Sequence, residues 1–408
     1  MLLLRLAMRN VRRNVHRTVL TAGTVVFGTA LLTVALAWLT GVFGTLTNTM
    51  ASFGGHARVM TTAFAAREEL MPLSEHLQHA DDLAAAAMKL PGVRAAYPRI
   101  VTGVTLTKGD EIGDQFGLAV GAPIGWYTDQ LHLGKDIVLG TMFTGADGET
   151  VLGRTVAEAI HAQVGDTIIA LGMTQDGAMA PVKAKVVGIA SGGNQLVDNG
   201  IFLPLEPLRW MADVDDGATE LLIYGDDKTE GKTLAAELRA DPAFSDDVVQ
   251  AWDEQPSTAG IVAMTGVVNS IISSIIVFVC ALGVWNTMMM SVMERTREIG
   301  VMRAMGLTRP GTVVLFVVEG LFIAAIGGAV GVALGCIPAY ALQVYGVNLG
   351  DKMAHSAGVP VQSHVYALLT VGVVVEAFTL GLCTALVGTA FPAWRAASIQ
   401  PVDAMRSR

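Results

Sequence analysis

Charge is scarce in this 408-residue chain: 15% of its residues are Asp, Glu, Lys or Arg, against 52% hydrophobic. Soluble domains carry about 25% charged residues, which argues against an ordinary soluble enzyme. Cysteine is scarcer still. Cys280, Cys336 and Cys383 each lie within an apolar stretch, so there is no disulfide framework and no Cys-based metal site. Each reads as a small buried hydrophobe.

Catalytic and nucleotide-binding patterns are missing too. His76 and His79, beside Glu75, stand three residues apart on an expected helix without an HExxH or Cys partner. They read as a solvated face rather than a metal site. No Ser/His/Asp set has recognisable local context. Gly225–Thr233 is similar to a phosphate loop but has five residues between its glycines, where the motif needs four. The sequence therefore points to no catalytic residue, no metal and no nucleotide site in this chain, and nothing in it points to nucleic acid.

What charge there is lies segregated. Residues 57–254 hold 14 Lys and Arg against 30 Asp and Glu, whereas the rest holds 13 basic and 6 acidic residues. One acidic, water-soluble block sits inside a basic, apolar frame. Thr18–Gly55, Gln255–Met293 and Gly320–Gly350 contain no charged residue, and Met353–Trp394 contains only Glu376. A bilayer core needs about 20 helical residues, so each run can cross once, near 18–46, 258–292, 311–341 and 365–392. The second run is far longer than a bilayer requires, and the expectation is a stalk continuing outside it. Ala35-Leu36-Ala37 resembles a signal cleavage site, but the apolar run continues through Leu46, too far for a signal peptide.

Five arginines precede the first span, four lie in Glu294–Arg309, and Arg395, Arg406 and Arg408 close the chain. The positive-inside rule puts these segments and both termini in the cytoplasm, and the acidic block on the other side. That block reads as mixed α/β. A helix–turn–strand unit occurs twice, at Asp81–Val101 and Glu230–Trp252, around a strand-rich insertion over about 121–205 that reads as a small barrel or sandwich. The expected division is 18–56 for the first helix and stalk, 57–254 for the outer domain and 255–293 for the second helix and stalk. It continues with 294–310 for a cytoplasmic helix, 311–341 for the third helix, 342–364 for a short outer loop, 365–392 for the fourth helix and 393–408 for the tail.

The segment Glu294–Pro310 is the most informative. Glu294 with Arg297, and Arg295 with Glu298, stand at i,i+3 and favour a short helix. Ile299, Met302 and Met305 give it an apolar stripe. Gly306 is placed to end it, and Thr308 to cap the next helix with Pro310 in its first turn. Such a helix is either an interfacial anchor or a knob presented to a cytoplasmic partner, with Glu298 and Arg303 expected to take part in that contact.

The stretch Gly283–Arg303, GVWNTMMMSVMERTREIGVMR, followed by Ala304-Met305-Gly306, resembles the signature of the FtsX/MacB/LolC-LolE superfamily of ABC transporter permeases. Leu6–Asn10 with Arg17-Thr18, Gly327–Gly331, Pro392–Ala397 with Gln400–Arg406, and Val151–Arg154 through Val187–Ile189 resemble further family segments. The resemblance implies four transmembrane α-helices with a large α/β, MacB-like periplasmic domain between helices 1 and 2, and an amphipathic N-terminal helix over 1–17. It implies a dimeric permease in the bacterial inner membrane, a homo- or heterodimer, working with a separate ATPase subunit that binds ATP and Mg. In the family, the helix matching Glu294–Gly306 docks on that ATPase and relays its movement to the outer domain. A chain that begins at the permease is nearest the LolC/LolE type, which extracts lipoproteins from the membrane.

On that reading Leu39, Val42, Phe43, Leu46 and Val268 are placed to line a groove for acyl chains and membrane lipid. A periplasmic chaperone has Met173, Met179 and Pro181 as anchors on Leu171–Pro181, which otherwise is a plain hairpin. Glu319 and Glu376, the latter expected mid-span, are intramembrane polar groups that need a protein partner or a cavity. Gly327, Gly331 and Gly335 stand four apart, a spacing that lets helix backbones approach within or between protomers. The alternatives are a tripartite efflux permease for peptides or drugs, and an FtsX-like transmitter acting on a periplasmic hydrolase.

Overall fold

A computed structural model of the chain describes residues 15–108, 115–146, 148–192, 195–348 and 364–400. The expected helix over 1–17 lies outside these up to residue 14, as do the closing residues beyond Gln400 and most of the 342–364 loop. The longer helices are α1 (Val15–Gly54), α2 (Ala80–Ala87), α3 (Leu205–Ala212), α4 (Gly231–Ala240), α5 (Pro256–Glu294), α6 (Thr296–Ala304), α7 (Arg309–Tyr345) and α8 (Val371–Ser398). The strands used below are β1 (Ala57–Thr61), β2 (Ala95–Lys108), β3 (Gln115–Ala122), β4 (Ile137–Gly140), β5 (Glu149–Gly153), β6 (Thr167–Met173), β7 (Met179–Ala190), β8 (Gly200–Pro204), β9 (Glu220–Tyr224) and β10 (Asp247–Ala251). The chain divides into two compact units, one gathering 15–44, 263–347 and 365–400, the other 45–262.

In the helical unit, α1, α5, α7 and α8 are long and apolar enough to cross a membrane. Their lengths are 40, 39, 37 and 28 residues. At about 1.5 Å per residue all four exceed a hydrocarbon core of about 30 Å, the first three by close to twofold. The large excess length expected of the first two spans, each with a stalk, is thus shared by the third. The fourth also differs from the expected 365–392. It starts at Val371 because Tyr366–Leu369 run outside regular structure, with the Leu368 N–H donating to Ala37 O (2.8 Å) and that of Leu369 to Gln343 Oε1 (3.0 Å). Thr370 then caps α8 by accepting the Val373 N–H. The helix continues through Pro392 to Ser398. A proline inside a helix forfeits one hydrogen bond, and here the turns beyond it are held by the buried Ala393 and Ala396.

The glycine row of α7 meets α1 of the same chain. A Cβ on Gly331 would stand 2.6 Å from Val26 O, one on Gly335 2.7 Å from Ala30 O, and one on Gly327 3.2 Å from Ala22 O. The row thus seats one backbone against another within a single protomer.

The outer unit is a sheet that runs into a barrel. Strands β10, β1, β9 and the first half of β2 form the sheet, with Arg99 opposite Glu220 in the β2–β9 register. Helices α2 and α4, the two copies of the repeat, contribute Ala87, Leu234, Ala235 and Leu238 to its core. From Ile100 onward β2 pairs with β3 and β6, and the ring closes through β8, β5 and β7. The barrel therefore begins at about residue 100 rather than the expected 121. No turn residue separates the two halves of β2, so the strand carries the chain from one sheet to the other. Val104, Leu106, Ile168, Ala170, Val182, Ala184 and Ile201 fill the barrel core.

The last turn of α1 belongs to this unit. A helix leaves its final carbonyls without intrahelical donors, and three side chains supply them. Tyr224 Oη donates to Ser52 O (2.7 Å), Arg99 Nη1 to Phe53 O, and Gln255 Nε2 to Gly54 O (3.0 Å). Burial pushes the Tyr224 phenol well above its ordinary range, so it stays a donor. Arg99 also pairs with Glu220 (2.9 Å) and stacks on Phe53 at 4.6 Å, while Arg58 approaches the same carboxylate at 3.6 Å.

His56 follows directly. The Gly225 N–H donates to its Nδ1 (3.1 Å), and burial lowers its pKa from 6.5 against the pull of Asp227 and Glu230. Because the folded value is the lower one, this contribution to stability is complete above 6.5 and is lost as pH falls below it. Replacing His56 with Asn keeps an acceptor without the titration. Thermal unfolding of His56→Asn between pH 7.5 and 5.5 is expected to fall less steeply than that of the wild type. Parallel profiles would contradict this role for His56.

Candidate functional site

The segment between α5 and α7 is the best-built candidate site. Helix α5 ends at Glu294, Arg295 belongs to neither neighbour (φ −99°, ψ 13°), and α6 runs to Ala304. Gly306 closes it with φ +103°, a conformation open to glycine at low strain. Thr308 caps α7 by accepting the Gly311 N–H, with Pro310 in the first turn.

One face of α6 is fixed to its own bundle. Ile299 is fully buried with Val292, Phe316, Ala393 and Ala396, and Met302 packs beside them. Arg295 Nη1 lies 3.1 Å from Glu319 Oε1 and 3.4 Å from Oε2, with both side chains 8% exposed. Arg303 Nη1 donates to Ile399 O just beyond α8. Arg303, expected at the contact with a partner, is instead half-buried and points to the end of the fourth helix. Met305 is corrected as well. It follows the last turn of α6 and is 76% exposed, so the inward stripe consists of Ile299 and Met302 alone.

The other face carries Glu294, Arg297, Glu298, Val301 and Met305, all exposed. Two acids, one base and two apolar side chains on a firmly seated helix make up a mixed, exposed surface. Apolar centres rimmed by charge are the usual composition of a protein contact.

The other singled-out residues are placed as follows. Glu376 sits in the second turn of α8 rather than mid-span, exposed, with Asn269 Nδ2 donating to its Oε1 (3.3 Å). Leu39, Val42, Phe43 and Val268 are half-buried in the helical unit, whereas Leu46 is buried within the outer one. Met173 and Met179 face each other in register, 55% and 69% exposed, and Pro181 is exposed beside them. They end a plain β6–β7 hairpin whose tip is tied to α3 by the Gln175 N–H donating to Ala212 O (2.8 Å). His76 and His79 share no helix. His76 is extended, and His79, with φ +51°, precedes α2 and pairs with Asp216 at 2.6 Å.

The Arg99–Glu220–Arg58 cluster escaped the sequence reading. Its signal is three charges inside β-rich apolar runs, and the register alone places them together.

Two family models match the chain: the MacB-like periplasmic core domain over residues 18–241 and the FtsX-like permease C-terminal domain over residues 270–401. Among curated relatives, the ABC transporter permease YknZ of Bacillus subtilis is 32% identical over 44% of this chain and 42% of its own. The lipoprotein-releasing system transmembrane protein LolC of Neisseria meningitidis is 26% identical over 69% of each. The macrolide export ATP-binding/permease protein MacB of Brucella melitensis is 24% identical over 99% of this chain and 60% of its own. This chain thus spans less than two thirds of YknZ and of MacB. The first model alone matches more than half of the chain, over the first long helix and most of the sheet and barrel unit. On these matches the chain belongs to the FtsX/MacB/LolC superfamily of ABC transporter permeases.

Proposed function

We propose that this chain is the permease subunit of a MacB/Lol-type ABC system, coupling ATP hydrolysis on a separate cytoplasmic subunit to movement of its outer domain. The observation that carries this is the two-sided α6. Ile299, Arg295 and Arg303 fasten one face to the helical unit, while Val301 and Met305 are exposed on the other. A helix that only anchored the chain in a membrane surface would keep its apolar residues on the membrane side and its charges opposite. Here the buried apolar side chains serve the bundle, and the outward face is mixed. The arginine-rich segments support a position for this face on the cytoplasmic side of the bacterial inner membrane. ATP and Mg then belong to the partner subunit, and a second permease protomer completes the assembly.

The cargo we favour is acylated protein drawn from the membrane, a reading supported by the similarity to LolC over 69% of both chains. The similarity to MacB over nearly the whole of this chain supports efflux as the second reading.

The test is capture from gently solubilised native membranes, with the tagged chain as bait and mass spectrometry as readout. An ABC ATPase subunit is expected to accompany the wild type. Val301→Asp with Met305→Asp is expected to lower its recovery at least about tenfold, the loss of a contact hot spot. Acylated proteins among the retained material support lipoprotein release, and an outer-membrane duct in their place supports efflux. Unchanged capture by the double variant would sink the assignment of this face.

A further inference from the structure

Helices α5 and α6 are separated by a single residue, and neither glycine nor proline explains the break: Ser291–Arg297 contains neither. The backbone stays close to helical there. The Arg295 N–H donates to Ser291 O and its carbonyl accepts the Ile299 N–H. What sets Arg295 apart is its side chain, which leaves the segment and ends on the carboxylate of Glu319, ten residues into α7. Breaks of this kind otherwise trace to proline, glycine or an inserted group.

The pair is over nine-tenths buried at both ends. Removing one charge of such a buried pair is strongly destabilising, so the contact resists being pulled apart. Ile299, one turn along α6, packs with Phe316, one turn before Glu319 on α7. An ion pair and an apolar contact thus form one seam between α6 and α7, in addition to the chain that joins them through 305–308. Arg303 adds a tie to the end of α8.

We infer that Arg295 and Glu319 are positioning residues that make α6 and α7 move as one body, so that a displacement imposed on α6 enters α7 directly as well as through the helical hydrogen bonds to α5. The inference rests on α6 being the docking element. Its consequence is that the third membrane helix is a direct recipient of the ATPase's movement. Glu319 is needed because the seam requires a charge that Gln cannot supply.

The experiment is hydrogen exchange of the full chain in lipid nanodiscs, read by mass spectrometry. In Glu319→Gln, exchange over 296–304 is expected to accelerate at least about tenfold, as for loss of a buried charge partner. Exchange in the barrel, over 100–108 and 167–173, is expected to stay as in the wild type. The swap Arg295→Glu with Glu319→Arg is expected to recover part of the protection. Unchanged exchange over 296–304, or equal acceleration throughout the chain, would overturn the inference.

A second readout uses the complex with the co-purified ATPase. ATP with vanadate is expected to alter exchange in both α6 and α7 of the wild type, and in α6 alone of Glu319→Gln. A response that persists in α7 of the variant would overturn the inference as well. If the wild type retains no ATPase, the docking assignment fails, and the exchange of the chain alone still decides whether the pair joins the two helices.

Discussion

Replacing Arg99 with Ala is expected to lower the stability of the outer unit by about 3–5 kcal/mol, the usual effect of breaking a buried charge pair from one side. Three losses coincide. Glu220, 4% exposed, is left with Arg58 at 3.6 Å as its remaining ion-pair partner, the Phe53 carbonyl loses its donor, and the rings of Phe53 and Trp126 lose the guanidinium stacked on them. Lys at position 99 should rescue little. A point charge on a flexible stem cannot fork onto a carboxylate, reach a helix end and stack on a ring together. Arg99→Met combined with Glu220→Gln is expected to be less destabilising than Arg99→Ala alone, because no charge remains dry. Denaturant unfolding of the full chain in detergent, followed by far-UV circular dichroism of the β-rich outer unit, measures this. A loss for Arg99→Ala below about 1 kcal/mol, the scale of a surface pair, would show that the cluster is hydrated and the account wrong. Because Arg99 caps the last turn of α1, that turn should lose exchange protection together with the sheet.

Alanine at Gly331 or Gly335 is expected to destabilise the helical unit by about 1–3 kcal/mol each, the range for forcing atoms into a filled core. In both cases the added Cβ meets a main-chain carbonyl of α1, at 2.6 and 2.7 Å, so no side-chain rotation relieves it and the helices must part. Gly23 on α1 supplies the control. It is exposed, and a Cβ there meets nothing within 4 Å. Gly23→Ala should therefore be neutral or stabilise by up to about 1 kcal/mol through helix propensity. Unfolding in SDS against a mild detergent gives the comparison. Equal effects at positions 23 and 331 would mean that backbone approach does not hold α1 to α7.

Much of this was legible in the residues because it depends on local pattern. The turn from α6 into α7 follows from Gly306, Thr308 and Pro310, whose backbone preferences act within one turn of helix. Glu319 was recognisable as a group in need of a partner, since a carboxylate among apolar residues declares its own problem. Its partner was not. Arg295 stands beside Glu298, and a local pair at i,i+3 is the reading sequence distance favours, whereas the structure carries the side chain to another helix. Arg303 and Met305 were misplaced for a related reason. Helical periodicity says which residues share a face, but it cannot say which face meets the bundle.

The sequence by itself determined that this is a membrane chain, that an acidic domain lies between its first two spans, and that its motifs are those of an ABC permease family. Apolar runs longer than a bilayer, segregated charge and contiguous motifs are all properties of neighbours along the chain. Only the tertiary structure decided that β2 passes from sheet to barrel, that the glycines of α7 seat against α1, that Arg99 closes the end of α1, and which face of α6 is turned outward. Each of these joins residues tens to hundreds of positions apart. Register and side-chain packing select such pairs, because a buried charge or a close backbone contact is stable only where one particular distant group meets it.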